Sequence, residues 1–182
     1  GTPAETFDRF ARQLEARTHE TVLEVNLDAM VHNYNFFRSR LHPSTGIVAM
    51  VKASGYGAGS YELAKSLQAH GAAYLAVAVL DEGVELREAG ITMPIMVLNP
   101  KVLNYPQLFV NRLEPEVFDF NILEEIIEAA RRAGVKDYPV HLKLDTGMHR
   151  LGFSEDEIDR VIEIVKGQDS IRICSVFSHL AT

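Results

Sequence analysis

Two hydrophobic periods alternate along the chain from residue 47 onward. Apolar, β-branched runs fall at 47–51, 73–79, 95–98, 115–118, 139–144 and 171–177. Several are apolar almost throughout, the pattern of strands covered on both faces in a parallel sheet. Between them, apolar residues recur at i, i+3 and i+4. Ser60 is placed to cap a helix that carries Leu63, Ala64 and Leu67 and ends before Gly71. Asp81 is placed to cap one that ends before Gly90. Asn121 precedes Leu123, Ile126, Ile127 and Ala130, with Glu124 at capping-box spacing and Gly134 just past the end. Ser154 precedes Ile158, Val161, Ile162 and Val165, with Glu157 three residues after the cap. A cap, an apolar stripe and often a glycine stop define each helix. The repetition predicts an α/β fold with six parallel strands and right-handed crossovers.

The earlier section reads differently. Residues 22–26 form an expected short strand, and Asp28 is expected to cap a helix whose apolar face is Met30, Tyr34, Phe37 and Leu41, stopped by Pro43. Residues 3–16 give a weak amphipathic pattern on Phe7, Phe10 and Leu14.

Composition narrows the function classes. The 182 residues carry a net charge of −7, which argues against a nucleic-acid-binding face built from clustered Lys and Arg. The single cysteine, Cys174, excludes an internal disulfide and a cysteine-based zinc site; it is expected to be a buried apolar residue, and no metal site is expected. The longest strongly apolar stretch, 74–80, is far short of the roughly 18 residues that span a bilayer. No signal peptide is visible, so the cytoplasm is the default. The chain begins with Gly, as a tag scar, a processed end or an excised piece of a longer chain would. Its length suits one doubly wound domain but is short for a β/α barrel of about 250 residues.

In either α/β architecture, chemistry gathers at the carboxyl ends of the strands. The first end reads Lys52-Ala53-Ser54-Gly55-Tyr56-Gly57-Ala58-Gly59-Ser60. Glycines leading into a helix start suit an anion such as phosphate, although a flexible turn accounts for the same spacing. Desolvation inside an apolar site can lower a lysine's pKa, and such an amine suits a Schiff base. Lysine and anion cradle together match what pyridoxal phosphate requires. The fifth end carries His141, Lys143 and Asp145 on one strand face by parity, followed by Met148 and Arg150. Three such groups on an inward face need charge partners. Arg150 is a candidate for a carboxylate or phenolate oxygen, and a structural Asp145–Arg150 network is the competing reading. His179 closes the sixth run.

These three ends together resemble the N-terminal domain of alanine racemases. Val51–Gly59 is similar to the family's Val-Lys-Ala-x-x-Tyr-Gly-x-Gly segment, Asp145–Gly152 to Asp-Thr-Gly-Met-x-Arg-Leu-Gly, and Ser178–Ala181 to Ser/Thr-His-x-Ala. Ser54, Gly55 and Ala58 depart from the more usual family residues, while the lysine, tyrosine and flanking glycines are kept. The resemblance covers about residues 20–182 and implies a (β/α)8 barrel of which about six units are present. It implies that Lys52 holds pyridoxal 5'-phosphate through a Schiff base and is one of two proton-transferring bases. It implies that Tyr56 bonds the phosphate, that Arg150 contacts the phenolic oxygen and the substrate carboxylate, and that His179 lies near the ring in the network orienting the opposite base. Met148 would line the substrate region. Lys143 matches a lysine carbamylated in many members, where the carbamate would give Arg150 an anionic partner and explain an inward lysine.

The implied activity is interconversion of L- and D-alanine for peptidoglycan, by a homodimer whose second base, a tyrosine, comes from a later domain of the partner subunit. No residue here matches that tyrosine, so residues 1–182 alone are expected not to racemise alanine. Residues 1–20 read as a leader or interdomain linker, with fusion behind a muramoyl-peptide ligase as one version, and 21–182 as the partial barrel. Two other readings stand beside this one: a pyridoxal-phosphate carrier on the same barrel without racemase chemistry, and a flavodoxin-like module using the glycine loop for an anion.

Overall fold

Six parallel strands form one sheet, and each pairs with the next in sequence, in the order β1-β2-β3-β4-β5-β6. The computed structural model describes residues 23–100 and 105–181. The strands are β1 (Val48–Met50), β2 (Tyr74–Val77), β3 (Ile95–Val97), β4 (Leu113–Val117), β5 (Tyr138–Leu144) and β6 (Ile171–Ser178). The connecting helices are α1 (Leu27–Arg38) before β1, then α2 (Ser60–Ala69), α3 (Leu80–Glu88), α4 (Pro106–Asn111), α5 (Phe120–Arg132) and α6 (Ile158–Lys166), the last entered through a 3-10 turn at Glu155–Glu157. Strictly sequential order is that of a β/α barrel. A doubly wound sheet reverses direction at a switch point, and no pair here does so, which removes the flavodoxin-like reading. The sheet is an arc with β1 and β6 as its edges.

Alternate strand residues divide between two environments. Leu75, Val77, Ile95, Val97 and Leu113 pack outward against Ala64, Leu67, Leu86 and Leu108 of the helices. Val117, Val140 and Leu142 do the same against Ile122, Leu123, Ile126 and Val161. Two polar side chains fasten loops to this shell. Arg87 donates to the carbonyls of Ile91, Met93, Asn111 and Arg112 at 2.7–2.9 Å. The Tyr138 hydroxyl is shared between the carbonyls of Leu108 and Leu113 at 2.8 and 2.7 Å. The opposite strand face carries Tyr74, Glu114, Glu116, His141 and Lys143 and forms the concave side of the arc.

Local starts differ from the sequence expectation where tertiary contacts choose the cap. Asn26, not Asp28, caps α1 by accepting from the Ala29 N–H. Asp119, not Asn121, caps α5 by accepting from the Ile122 N–H at 2.8 Å, which leaves Glu124 outside the capping-box position. Gly59 rather than Ser60 precedes α2, and Val79 rather than Asp81 precedes α3. Ser154 and Glu157 form the expected capping box. Residues 23–26 pair with no strand among the described residues, and Phe37 is 64% exposed, because α1 buries Tyr34 and packs Met30 against the core while Phe37 lies off that face. Helix α4 and the start of β4 at Leu113 extend what the apolar run at 115–118 indicated. Cys174 is exposed rather than buried, because it lies on β6, an edge strand in this arc. The expected pattern at residues 3–16 and the leader at 1–20 lie outside the described residues. No described helix is long and apolar enough to cross a membrane.

Candidate active site

All six strands run the same way, so the residues that follow them share one rim of the arc. Lys52 follows β1, Asp145 and the 146–152 loop follow β5, and His179 follows β6. A cleft of about 560 Å³ between α1 and residues 41–47 lies at the other end, before β1, and holds none of these groups.

The first rim segment has an unusual backbone. Val51 is buried and its N–H continues the ladder by donating to the Ala76 carbonyl at 2.9 Å. From there the chain makes a left-handed helical turn over Lys52–Tyr56, with φ of 53° at Ala53, 52° at Ser54, 65° at Gly55 and 57° at Tyr56. Its bonds have helical spacing: the Gly55 N–H donates to the Val51 carbonyl at 3.1 Å and the Gly57 N–H to Ala53 at 3.0 Å. Three of these residues carry a Cβ, and each left-handed L-residue costs roughly 1–2 kcal/mol. The turn sets Lys52 half-buried at the strand end and leaves Tyr56 66% exposed. The helix start that follows is less open to an anion than its glycines indicate. A side chain added at Gly59 would meet the Glu62 carboxylate at 2.8 Å, so the chain's own acid stands at the start of α2.

On the concave face, β5 brings two of the inward groups to partners that sequence reading did not anticipate. Lys143 Nζ lies 3.1 Å from Glu116 Oε1 with both side chains buried, and 5.5 Å from the Phe177 ring centroid. Neither Glu116 oxygen has a well-directed hydrogen bond. Desolvation pushes the Glu116 carboxyl above its ordinary range, against the pull of Lys143, Arg150 and His141. One layer deeper, the Tyr74 hydroxyl donates to Glu114 Oε2 at 3.0 Å, the same oxygen lies 3.0 Å from His141 Nε2, and His141 Nδ1 lies 2.7 Å from Ser175 Oγ. Burial first, then the Glu114 charge, holds the Tyr74 phenol well above its usual range. A register shift in the β5–β6 pair at Val140/His141 aligns His141 with Ser175 and Lys143 with Phe177. The inward lysine therefore has a carboxylate of the chain itself as partner. The available signal was the alternation in Leu113-Glu114-Pro115-Glu116-Val117, which puts both acids on the inner face.

The Asp145–Arg150 network does not form. Asp145 Oδ1 instead accepts from the N–H groups of Gly147 and His149 at 3.0 Å, and Oδ2 lies 3.0 Å from His149 Nδ1. Those backbone donors hold the Asp145 carboxyl below its ordinary range. The loop is clamped where it returns: the Asp145 N–H donates to the Phe153 carbonyl and the Phe153 N–H to the Lys143 carbonyl, each at 2.9 Å. Phe153 is buried against Phe120, with ring centroids 5.1 Å apart. This leaves Met148 and Arg150 exposed on the rim, as is His179.

Comparison with known proteins agrees with this arrangement. The family described as "Alanine racemase, N-terminal domain" matches residues 25–182. Alanine racemase 2 of Caldanaerobacter subterraneus subsp. tengcongensis is 38% identical over 164 residues, covering 89% of this chain and 42% of the relative. The alanine racemase of Synechocystis sp. is 39% identical over 164 residues, covering 88% and 43%. Among solved structures, alanine racemase of Clostridium difficile 630 in complex with cycloserine superposes with a TM-score of 0.84 at 35% identity, covering 92% of this chain and 46% of that one. The Bacillus anthracis enzyme with bound L-Ala-P gives 0.79 at 32% identity, covering 87% and 41%. The chain thus spans less than half the length of these relatives, and the region it spans is the part of the barrel that carries the three rim segments. On sequence, strand order and superposition alike, the chain belongs to the alanine racemase N-terminal domain family.

Proposed function

We propose that this chain is the cofactor-holding part of a pyridoxal-phosphate-dependent alanine racemase, acting on L- and D-alanine within a homodimer. The observation that carries the reading is Lys52, set by a left-handed turn at the end of β1 on the rim that also bears Arg150 and His179. The residues fit the group: a lysine amine at a strand end for covalent attachment, an exposed tyrosine hydroxyl four residues on, and an exposed guanidinium on a clamped loop. When bound, pyridoxal phosphate spreads the charge left at the substrate α-carbon when its proton departs.

The chain's own residues have separable tasks. The Lys52 amine anchors the cofactor and moves the proton on one face of the α-carbon. Tyr56 donates to a phosphate oxygen. Arg150 offers paired N–H donors to the phenolic oxygen and the substrate carboxylate, with Met148 beside it. His179 steadies the network that orients the opposite base, which no residue of this chain matches. Lys143 lies beside Glu116, which gives the inward lysine a partner in the chain itself; a carbamate on Lys143 would in addition give Arg150 an anionic partner.

Titration with pyridoxal phosphate tests the cofactor reading. A visible absorption band that disappears on borohydride reduction, with the reduced cofactor mapped to Lys52 and lost in Lys52→Ala, is expected. An identical band in Lys52→Ala would sink the assignment. Racemisation of L-alanine by the protein that carries this domain, read as D-alanine formed, separates a racemase from a carrier; full cofactor binding with no D-alanine formed would favour the carrier.

A further inference from the structure

The left-handed turn raises a question of stability. Ala53, Ser54 and Tyr56 all sit where L-residues are disfavoured, so the surroundings must hold them there. A helical turn of either hand leaves the N–H groups at its start without partners inside the turn. Here the Ala53 N–H finds one outside: it donates to Glu82 Oε1 at 2.6 Å. Glu82 comes from the first turn of α3, 29 residues away. Its other oxygen, Oε2, accepts from the Ala78 N–H at 2.7 Å and the Val79 N–H at 3.3 Å, at the end of β2. One half-buried carboxylate therefore joins the turn after β1 to the loop after β2 through three backbone donors. Hydrogen bonds to an ionised acceptor are stronger than neutral ones.

We infer that Glu82 is the positioning residue for Lys52: it locks the left-handed turn that points the lysine at the cofactor site, and it does so as an ionised double acceptor. This rests on the proposed role of Lys52. Glutamine has the same shape but a single carbonyl oxygen, so it serves one side of the bridge and turns an N–H2 donor toward an N–H donor on the other. Aspartate falls one methylene short.

The inference separates from an ordinary capping role of Glu82 on α3 through the backbone itself. Glycine adopts the left-handed region without the Cβ clash, so Ala53→Gly with Ser54→Gly removes the steric strain that Glu82 has to offset at those two positions. In the full chain, Glu82→Gln is expected to weaken pyridoxal phosphate binding at Lys52 by at least about tenfold, the scale of one lost charge-assisted bond. The same change in the double-glycine background is expected to cost no more than about threefold. Equal losses in the two backgrounds would mean that Glu82 only caps α3, and would overturn the inference; so would no loss in either.

Hydrogen exchange by mass spectrometry supplies a cofactor-free readout. The peptide spanning 51–59 should exchange faster in Glu82→Gln by at least about tenfold, and unchanged exchange there refutes the clamp. If the unaltered chain does not take pyridoxal phosphate at Lys52, the functional reading fails while this exchange arm still decides the clamp. If Glu82→Gln does not fold, the Ala53 amide of the unaltered chain decides: slow exchange supports the bridge to Glu82, and exchange as fast as in an exposed turn overturns it.

Discussion

Gly152→Ala tests whether the Arg150 loop is fixed by close backbone contact. Gly152 has φ of +128°, and a Cβ there would lie 2.5 Å from both the Asp145 nitrogen and the Leu144 carbonyl carbon. These are backbone atoms of the strand end, with no flexible side chain to give way. Two costs add. The backbone conformation is strained for alanine by about 1–3 kcal/mol. Relieving the overlap pulls apart the clamp in which Asp145 donates to Phe153 and Phe153 donates to Lys143, at about 0.5–1.5 kcal/mol for each bond lost. The expected destabilisation is about 2–6 kcal/mol. Gly134→Ala is the control. Gly134 also has positive φ, +67°, but an added Cβ meets nothing within 4 Å. Its cost is the left-handed penalty of about 1–2 kcal/mol; the gain of about 0.4–1 kcal/mol from stiffening the unfolded chain lowers the figures for both variants alike and cancels in the comparison. Urea unfolding with matched m-values measures both. Gly152→Ala should also weaken cofactor binding, through Arg150, while Gly134→Ala should not. Losses equal to within about 0.5 kcal/mol would refute the argument, because they would leave no energy to the close approach.

Two further outcomes follow from buried and bound charge. Glu116 has a raised pKa in the folded protein, so the folded state keeps a proton that the unfolded chain loses at the ordinary carboxylate pKa; stability must fall as pH rises from that value to the folded one. Glu116→Gln removes this slope, and unfolding midpoints measured upward from the ordinary carboxylate pKa should show the wild type losing ground to the variant until the folded value is passed; parallel curves would contradict the buried-acid assignment. Asp145 has the opposite sign: its pKa is lowered by the His149 and Gly147 N–H groups, so its contribution is present above the ordinary carboxylate pKa and is lost as pH falls through the folded value. Asp145→Asn should flatten that acid limb, seen as a protection factor of the 146–150 segment that no longer falls with pH once intrinsic exchange is divided out, and an unchanged acid limb would point to another carboxylate.

What the chain discloses about itself depends on the range of the interaction. The six strands were legible because burial on both faces writes an unbroken apolar run that no neighbour needs to explain. Strand parity was equally local, and it placed His141 and Lys143 on an inner face and required partners for them. The partners came from elsewhere: Glu114 and Glu116 on β4 supply them through the parallel β4–β5 pairing, and nothing near Lys143 in sequence announces that registry. Arg150, the nearest cation on the loop side of Asp145 that is always charged, lost to backbone donors that exist only once the 146–149 loop has turned. The same limit hid the backbone of the first rim segment. Ala53 and Ser54 have no left-handed signature of their own, and the glycines at 55, 57 and 59 suggested a flexible anion loop. The conformation is imposed by a carboxylate 29 residues away. Motif resemblance located the lysine because the motif is contiguous. How that lysine is held is a long-range matter, and it becomes readable only when β1 and β2 lie side by side and Glu82 can reach both of their ends.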